Sequence, residues 1–173
     1  KLVINNIHQF YKRKVKKKAW QMRDDDGSIM GEKFIPLDRV GVYVPSATAP
    51  LVSSVYMTVT LAKIAQVPRV VLVTPPKKDG YVDPHVLVVA SLLKVDEIYK
   101  VGGAQAIGAL AFGTKAIGKV DKIVGPGNEY VTEAKRQVYG YCDIDMLAGP
   151  SEVAVIANNA SDAKYVKVDL QAQ

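Results

Sequence analysis

The sequence predicts an α/β protein whose main sheet is mostly parallel and is covered by helices on both faces. From residue 40 onward, short apolar runs rich in β-branched residues alternate with longer runs of helical character. Strands separated by helices of this length pair in parallel through right-handed crossovers. The strand runs are continuously apolar, which indicates burial on both faces and therefore a doubly wound sheet.

The first half of this pattern predicts two strands and two helices. The strands are the β-branched runs at 40–44 and 69–74, the second of which is ended by two prolines. Residues 52–66 are apolar almost all round, which indicates a buried helix. Another helix is predicted over 84–93, with Asp83 as its N-cap and a proline at its first position.

The second half continues the alternation with shorter elements. We predict strands at 97–101, 121–124 and 152–157, and helices at 104–112 and 128–139. Ser161 is predicted to cap a last helix that the chain end cuts off.

Residues 1–39 interrupt this rhythm and predict one basic helix followed by a polar, hairpin-like stretch at 24–38. The net charge of +6 originates here, because the run at 12–18 holds six of the 23 Lys and Arg residues and the 17 acidic residues balance the others. A nucleic-acid surface would spread its charge over a whole face. We therefore interpret the run as the solvated side of a helix and expect no nucleic-acid partner.

Composition is typical of a globular protein, since 49% of the 173 residues are apolar. The apolar runs are too short, and too often broken by Lys, Pro or Gly, to span a membrane. The single cysteine, Cys142, cannot form an internal disulfide, which fits a reducing cytoplasm. We interpret Cys142 as a half-buried small residue, and His8 and His85 as solvated histidines, because none has the neighbours of a catalytic group.

Three glycine-rich turns, at 101–106, 125–128 and 149–152, lie between strand-like and helix-like runs. Such turns present bare backbone N–H groups at a helix N-terminus, where an anionic or strongly polar ligand can be held. Ligands of open parallel sheets bind beyond the carboxyl ends of the strands, and Tyr43 ends the first strand at the same rim. The turns therefore indicate a nucleotide-type cleft.

The common nucleotide fingerprints are incomplete, because Tyr130 takes the third glycine place of G-x-G-x-x-G and no P-loop pattern exists. Two amides, Gln105 and Asn128, begin the helices after the first two turns and suit a ribose or a nicotinamide carboxamide. For Asn128 alone a helix cap is favoured, and Ser151 is equally explained as a turn or cap hydroxyl. Turn chemistry by itself leaves the functional and structural interpretations evenly weighted.

Taken together, these segments resemble histidinol dehydrogenases. The most specific is Gly-Pro-Gly-Asn-Glu-Tyr-Val-Thr-Glu-Ala-Lys-Arg-Gln at 125–137. Further matching segments lie at 38–45, 101–114, 120–125, 145–146 and 148–153. The resemblance implies a zinc-dependent, NAD-linked oxidation of L-histidinol, through the aldehyde, to L-histidine, by a homodimer.

The resemblance also implies roles for five residues. NAD contacts fall on Tyr43, Gln105 and Asn128, a substrate contact falls on Ser151, and Gln173 falls on a metal ligand that also touches substrate. The family's catalytic Glu-His pair and its other metal ligands lie beyond this chain. No catalytic residue is therefore assigned here, and we expect an inactive central part of a longer enzyme.

The resemblance divides the chain into a Rossmann-like, NAD-binding domain at 40–152 and an incomplete second α/β domain made of 1–39 and 153–173. Ser46 and Ala47 stand where the family usually has two glycines, and their Cβ atoms fill space near the rim. This departure favours an alternative, a dehydrogenase of another amino alcohol or sulfonate. If 173 residues were the whole protein, a non-catalytic nucleotide-binding module would be a second alternative.

Overall fold

The computed structural model describes residues 1–15, 19–46, 50–149 and 152–172. These residues form six helices and seven strands, which are numbered in chain order. The helices are α1 Leu2–Lys12, α2 Val52–Ile64, α3 Pro84–Leu92, α4 Gly103–Phe112, α5 Glu129–Val138 and α6 Ala163–Gln171. The strands are β1 Trp20–Arg23, β2 Ile29–Glu32, β3 Arg39–Tyr43, β4 Arg69–Val73, β5 Glu97–Tyr99, β6 Lys122–Val124 and β7 Asp143–Ile144.

Five strands form a fully parallel sheet in the order β5–β4–β3–β6–β7. Of these five strands, β3 comes first in the chain. It lies at the centre of the sheet, with β4 on one side and β6 on the other. The chain therefore builds the sheet outward from β3 in one direction and then in the other. This is the strand order of a doubly wound sheet, and it confirms the predicted fold class.

Both faces of the sheet are covered, as the continuously apolar strands predicted. On one face α2 and α3 pack on β3 and β4, and Val42, Val55 and Leu72 are fully buried there. On the other face α4 and α5 enclose Ile107 and Ile123, which are also fully buried. Each such side chain contributes about 1.5–3 kcal/mol through burial.

The N-terminal region forms the predicted helix and hairpin, with shifted bounds. The antiparallel strands β1 and β2 place the hairpin at 20–32, earlier than the predicted 24–38. Helix α1 packs against α2 through Ile4. No helix among the described residues has the length and apolar character to cross a bilayer.

Over its described residues, 12–15, the basic run is the end of a helix and a turn, so the prediction that it forms the side of a helix is wrong there. Helix α1 ends at Lys12, and residues 13–15 form a turn. Like charges three and four residues apart destabilise a helix, which explains why it stops where the lysines begin. Residues 16–18 lie outside the described residues.

Two predictions near the C-terminus are also wrong. Residues 152–157 are exposed coil, because no described strand offers them a partner, and the edge strand of the sheet is instead the two-residue β7. Ser161 does not cap the last helix, since its hydroxyl donates to Asn158 Oδ1 at 3.2 Å. The N-cap of α6 is Asp162, whose carboxylate accepts from the Lys164 N–H at 2.8 Å.

Candidate functional site

The candidate site lies at the carboxyl ends of β3 and β6, where the chain passes to opposite faces of the sheet. Tyr43 is the last residue of β3, and Gly125 follows β6. Gly125 has φ +119°, and a Cβ there would overlap the Tyr43 carbonyl oxygen. Only glycine therefore lets the chain turn so closely against β3.

Tyr43 connects the end of β3 to the start of α4. Its side chain is buried, and its hydroxyl accepts a hydrogen bond from the Gly103 N–H at 3.1 Å. This bond satisfies one of the N–H groups that every helix start leaves without an intrahelical partner. The phenol thus fixes the N-terminus of α4 at the rim and retains its own proton for a further acceptor.

The neighbouring loops are joined at the same rim. The Ser46 hydroxyl donates to the Pro75 carbonyl at 2.5 Å, which ties the end of β3 to the end of β4. Gly102, the N-cap of α4, lies so close to Pro75 that a Cβ there would come within 2.6 Å of the ring. Ser46, which stands where the family that this chain resembles usually has a glycine, thus uses its hydroxyl in a hydrogen bond within the rim.

The two amide side chains lie at the starts of the adjacent helices α4 and α5. Gln105 is exposed in the first turn of α4. Asn128 is exposed and caps α5, since its Oδ1 accepts from the Val131 N–H at 3.1 Å. The cap interpretation of Asn128 is thus confirmed, and its side-chain N–H groups remain as donors at the rim.

The structure brings Tyr43, Gln105 and Asn128 to one edge of the sheet. Tyr43 touches the start of α4, two residues before Gln105, and its carbonyl abuts the turn that leads to Asn128. Ser151 and Gln173, the other residues implied by resemblance, lie outside the described residues.

The sequence interpretation missed a charged pair beneath this rim, Lys135 and Asp145. The Lys135 side chain is only 4% exposed, and its ammonium contacts the Asp145 carboxylate and donates to the Gly125 carbonyl at 3.1 Å. The Asp145 carboxylate in turn accepts from the Gly125 N–H at 2.8 Å. The sequence feature that could have indicated this pair is the spacing of Lys135, which lies on the same face of α5 as the apolar Val131 and Val138 and is therefore expected to be buried.

The titratable groups singled out from the sequence lie elsewhere and are unremarkable. Burial raises the pKa of the Cys142 thiol to about 11, so it is not a nucleophile at neutral pH. His8 is exposed on α1, and His85 is exposed beside the N-cap Asp83, with Nδ1 2.9 Å from its carboxylate. The Asp83 cap itself is confirmed, because its carboxylate accepts from the His85 N–H.

The described part of the chain fits a dinucleotide better than a metal ion. The rim offers two helix N-termini, a tyrosine hydroxyl and amide donors, which suit phosphate, ribose and carboxamide groups. By contrast, within the described ranges no three His, Cys, Asp or Glu residues are grouped so that they could hold a metal ion. The described residues therefore do not make a zinc site.

Two cavities lie beside the helices that pack on the sheet, and the lining of the second includes Val124 and Asp145 below the rim. One, of about 700 Å³, is bounded by α1 and by the C-terminal ends of α2 and α3. The other, of about 300 Å³, is apolar and lies on the α2 face of the sheet beside β6. Residues 47–49 and 150–151 are outside the described residues.

The fold defines the class of protein: a doubly wound α/β domain whose strand order reverses at β3, the position where sheets of this class commonly bind ligands. The histidinol dehydrogenase family model matches residues 1–173, and the chain belongs to that family. It is 58% identical over 160 residues to histidinol dehydrogenase of Bacillus cereus, which covers 91% of this chain and 37% of that protein. It is 51% identical over 168 residues to histidinol dehydrogenase of Clostridium acetobutylicum, which covers 97% of this chain and 39% of that protein.

A solved structure shows the same fold. The crystal structure of histidinol dehydrogenase from Elizabethkingia anophelis superposes with a TM-score of 0.86 at 40% identity, over 98% of this chain and 39% of that one. The chain thus spans about two fifths of the length of the relatives it matches.

Proposed function

We propose that this chain supplies the NAD site of an enzyme that oxidises L-histidinol, through the aldehyde, to L-histidine. The observation that carries the proposal is the meeting of the α4 and α5 N-termini with Tyr43 at the switch point of the sheet. Membership of the histidinol dehydrogenase family supports the substrate and the reaction.

In this proposal each rim residue has a distinct role toward NAD. The N–H groups at the starts of α4 and α5 face the pyrophosphate, where the helix dipoles favour negative charge. The Tyr43 hydroxyl and the amides of Gln105 and Asn128 hydrogen-bond ribose and carboxamide groups and so orient the nicotinamide. When bound, NAD supplies the hydride acceptor for both oxidation steps.

The substrate and metal roles are proposed from the family resemblance alone. Ser151 contacts L-histidinol, and Gln173 contacts it and is one zinc ligand. The zinc would polarise the substrate alcohol. Within the described residues, no group of three His, Cys, Asp or Glu side chains could supply the rest of its ligands. We accordingly expect the 173-residue chain by itself to bind NAD without forming NADH from L-histidinol.

The cellular setting and domain division are also part of the proposal. The single, buried cysteine fits a reducing cytoplasm. The family resemblance suggests a homodimer. Residues 40–152 would be the NAD-binding domain, and 1–39 with 153–173 would belong to a second α/β domain. Packing of α1 against α2 would then join the two domains.

Calorimetric titration of NAD⁺ into the chain tests the proposal directly. We expect saturable binding, weakened by up to about tenfold in Gln105→Ala, because one lost hydrogen bond is worth roughly 0.5–1.5 kcal/mol. Gln21→Ala, in the exposed hairpin, is the matched control and should bind as the unaltered chain does. Absence of binding to the unaltered chain, or equal affinities for the two variants, would contradict the proposed site.

A further inference from the structure

The buried pair of Lys135 and Asp145 holds the backbone of the turn that leads from β6 to α5. Gly125 begins this turn, and both of its backbone polar groups are bound by the pair. Its N–H donates to Asp145 Oδ2 at 2.8 Å, and its carbonyl accepts from Lys135 Nζ at 3.1 Å. The pair therefore fixes the orientation of the peptide groups on both sides of the Gly125 Cα.

Three elements meet at this pair. Lys135 belongs to α5, Gly125 follows β6, and Asp145 follows β7. Asp145 is also fixed from its own side, because its Oδ1 accepts from the Met146 N–H at 2.7 Å. The ends of two neighbouring strands and the inner face of a helix are thus locked to one another at the carboxyl edge of the sheet.

The packing of α5 on the sheet does not by itself call for a charge at position 135. Lys135 shares the buried face of α5 with Val131 and Val138, where an apolar side chain would pack without desolvating an ammonium group. Replacing a buried ion pair by apolar residues is often neutral or stabilising, so such a pair is weak evidence for a stabilising role. What an apolar residue cannot do is bind the Gly125 carbonyl.

From these contacts we infer that Lys135 and Asp145 are positioning residues for the dinucleotide site. They hold the turn at 125–128 so that Asn128 and the N-terminus of α5 face the same ligand as Tyr43. The inference rests on the proposed NAD site and adds two residues to it that need not touch the ligand. It follows that NAD affinity depends on this pair beyond any effect on folding.

The test compares NAD⁺ affinity and melting temperature in Lys135→Met and in a matched control. The control is Lys122→Met, which removes the Lys122–Asp143 ion pair of 2.7 Å between the same two strands, away from the turn. We expect Lys135→Met to raise the Kd for NAD⁺ by about tenfold or more, as for loss of a hydrogen-bonded charged group at a binding site. It should also lower the melting temperature, because it leaves the Asp145 carboxylate and the Gly125 carbonyl without their partner. The control should keep the affinity of the unaltered chain.

Each outcome decides a separate question. If folded Lys135→Met binds NAD⁺ as tightly as the control, the positioning role is wrong while the proposed site stands. If the unaltered chain does not bind NAD⁺, the proposed function fails and the inference fails with it. If Lys135→Met does not fold, the double variant Lys135→Met/Asp145→Asn, which leaves no unpaired buried charge, takes its place with the same expected loss of affinity.

Discussion

At the scale of single residues, Asn128 combines a structural and a proposed ligand role in different atoms. Its Oδ1 caps α5, whereas its Nδ2 is the group proposed to donate to NAD. Asn128→Ser keeps a capping oxygen and loses the amide donor, so we expect weaker NAD⁺ binding at nearly unchanged stability. Asn128→Ala loses both and should also lower the free energy of unfolding by about 1 kcal/mol.

Calorimetry and thermal unfolding of the two variants separate these roles. If Asn128→Ser binds NAD⁺ normally while Asn128→Ala is destabilised, Asn128 is only a helix cap.

Cys142 is predicted to be chemically inert in the folded protein. Its thiol is buried and donates to the Val120 carbonyl at 3.3 Å, and burial raises its pKa to about 11. At pH 8 only about one thiol in a thousand is then ionised, so the reagent DTNB should label the native chain very slowly and the urea-unfolded chain quickly. Rapid labelling of the native chain would contradict the buried position.

The same thiol contributes to the pH dependence of stability. Its folded-state pKa lies above the ordinary value of 9.0, so the stabilisation is complete below pH 9 and is lost as the pH rises toward about 11. We expect Cys142→Ala to show a smaller loss of stability over that range.

At the scale of elements, Asp96 joins β5 to its neighbours in the way that Asp145 joins β7. Its Oδ2 accepts from the Val70 N–H at 2.8 Å and from Lys63 Nζ, at the end of α2, at 3.0 Å. Desolvation by partial burial opposes ionisation, but these two hydrogen bonds prevail and lower the pKa of Asp96. Its stabilisation is therefore present above the ordinary pKa and is lost as the pH falls through the lowered one.

Asp96→Asn is expected to lower the free energy of unfolding at pH 7 by about 1 kcal/mol, allowing for solvent screening of the partly exposed pair. It should also reduce the loss of stability below pH 4, which urea unfolding across pH measures. Asp25→Asn, in the exposed hairpin turn, is the control. If Asp96→Asn and the unaltered chain lose the same amount of unfolding free energy below pH 4, the acid sensitivity does not come from Asp96.

The elements also show where sequence patterns are sufficient and where they fail. Strands β3 and β4, and the helix α2 between them, follow from local patterns of apolar residues. The caps Asp83 and Asn128 can likewise be predicted from their positions just before helical segments of the sequence. Residues 152–157 have the same strand-like composition, but a strand needs a partner, and partners depend on sheet order. The two-residue β7 is too short to leave a pattern, so the Asp145 that follows it could not be assigned to the rim.

At the scale of the whole molecule, stability is predicted to be unevenly distributed. Amides of β3 and β4 lie between two buried apolar layers, whereas β1 and β2 form an isolated hairpin whose residues are all exposed. A two-stranded hairpin is marginal in water. In hydrogen–deuterium exchange, peptides from β4 should be protected far longer than those from 20–32. Equal protection of the two would mean that the hairpin is covered in solution.

The central position of β3 has a consequence for how the chain acquires its shape during synthesis. The layer formed by β3, α2, β4 and α3 comes from one continuous stretch and can assemble as it leaves the ribosome, because chains fold from the N-terminus. The other edge of β3 then remains unpaired, and can associate with other chains, until residues 122–124 have been synthesised and can pair with it. The carboxyl end of β3 at Tyr43 therefore gains its second strand neighbour only after the first layer has formed, and β7 joins the sheet later still.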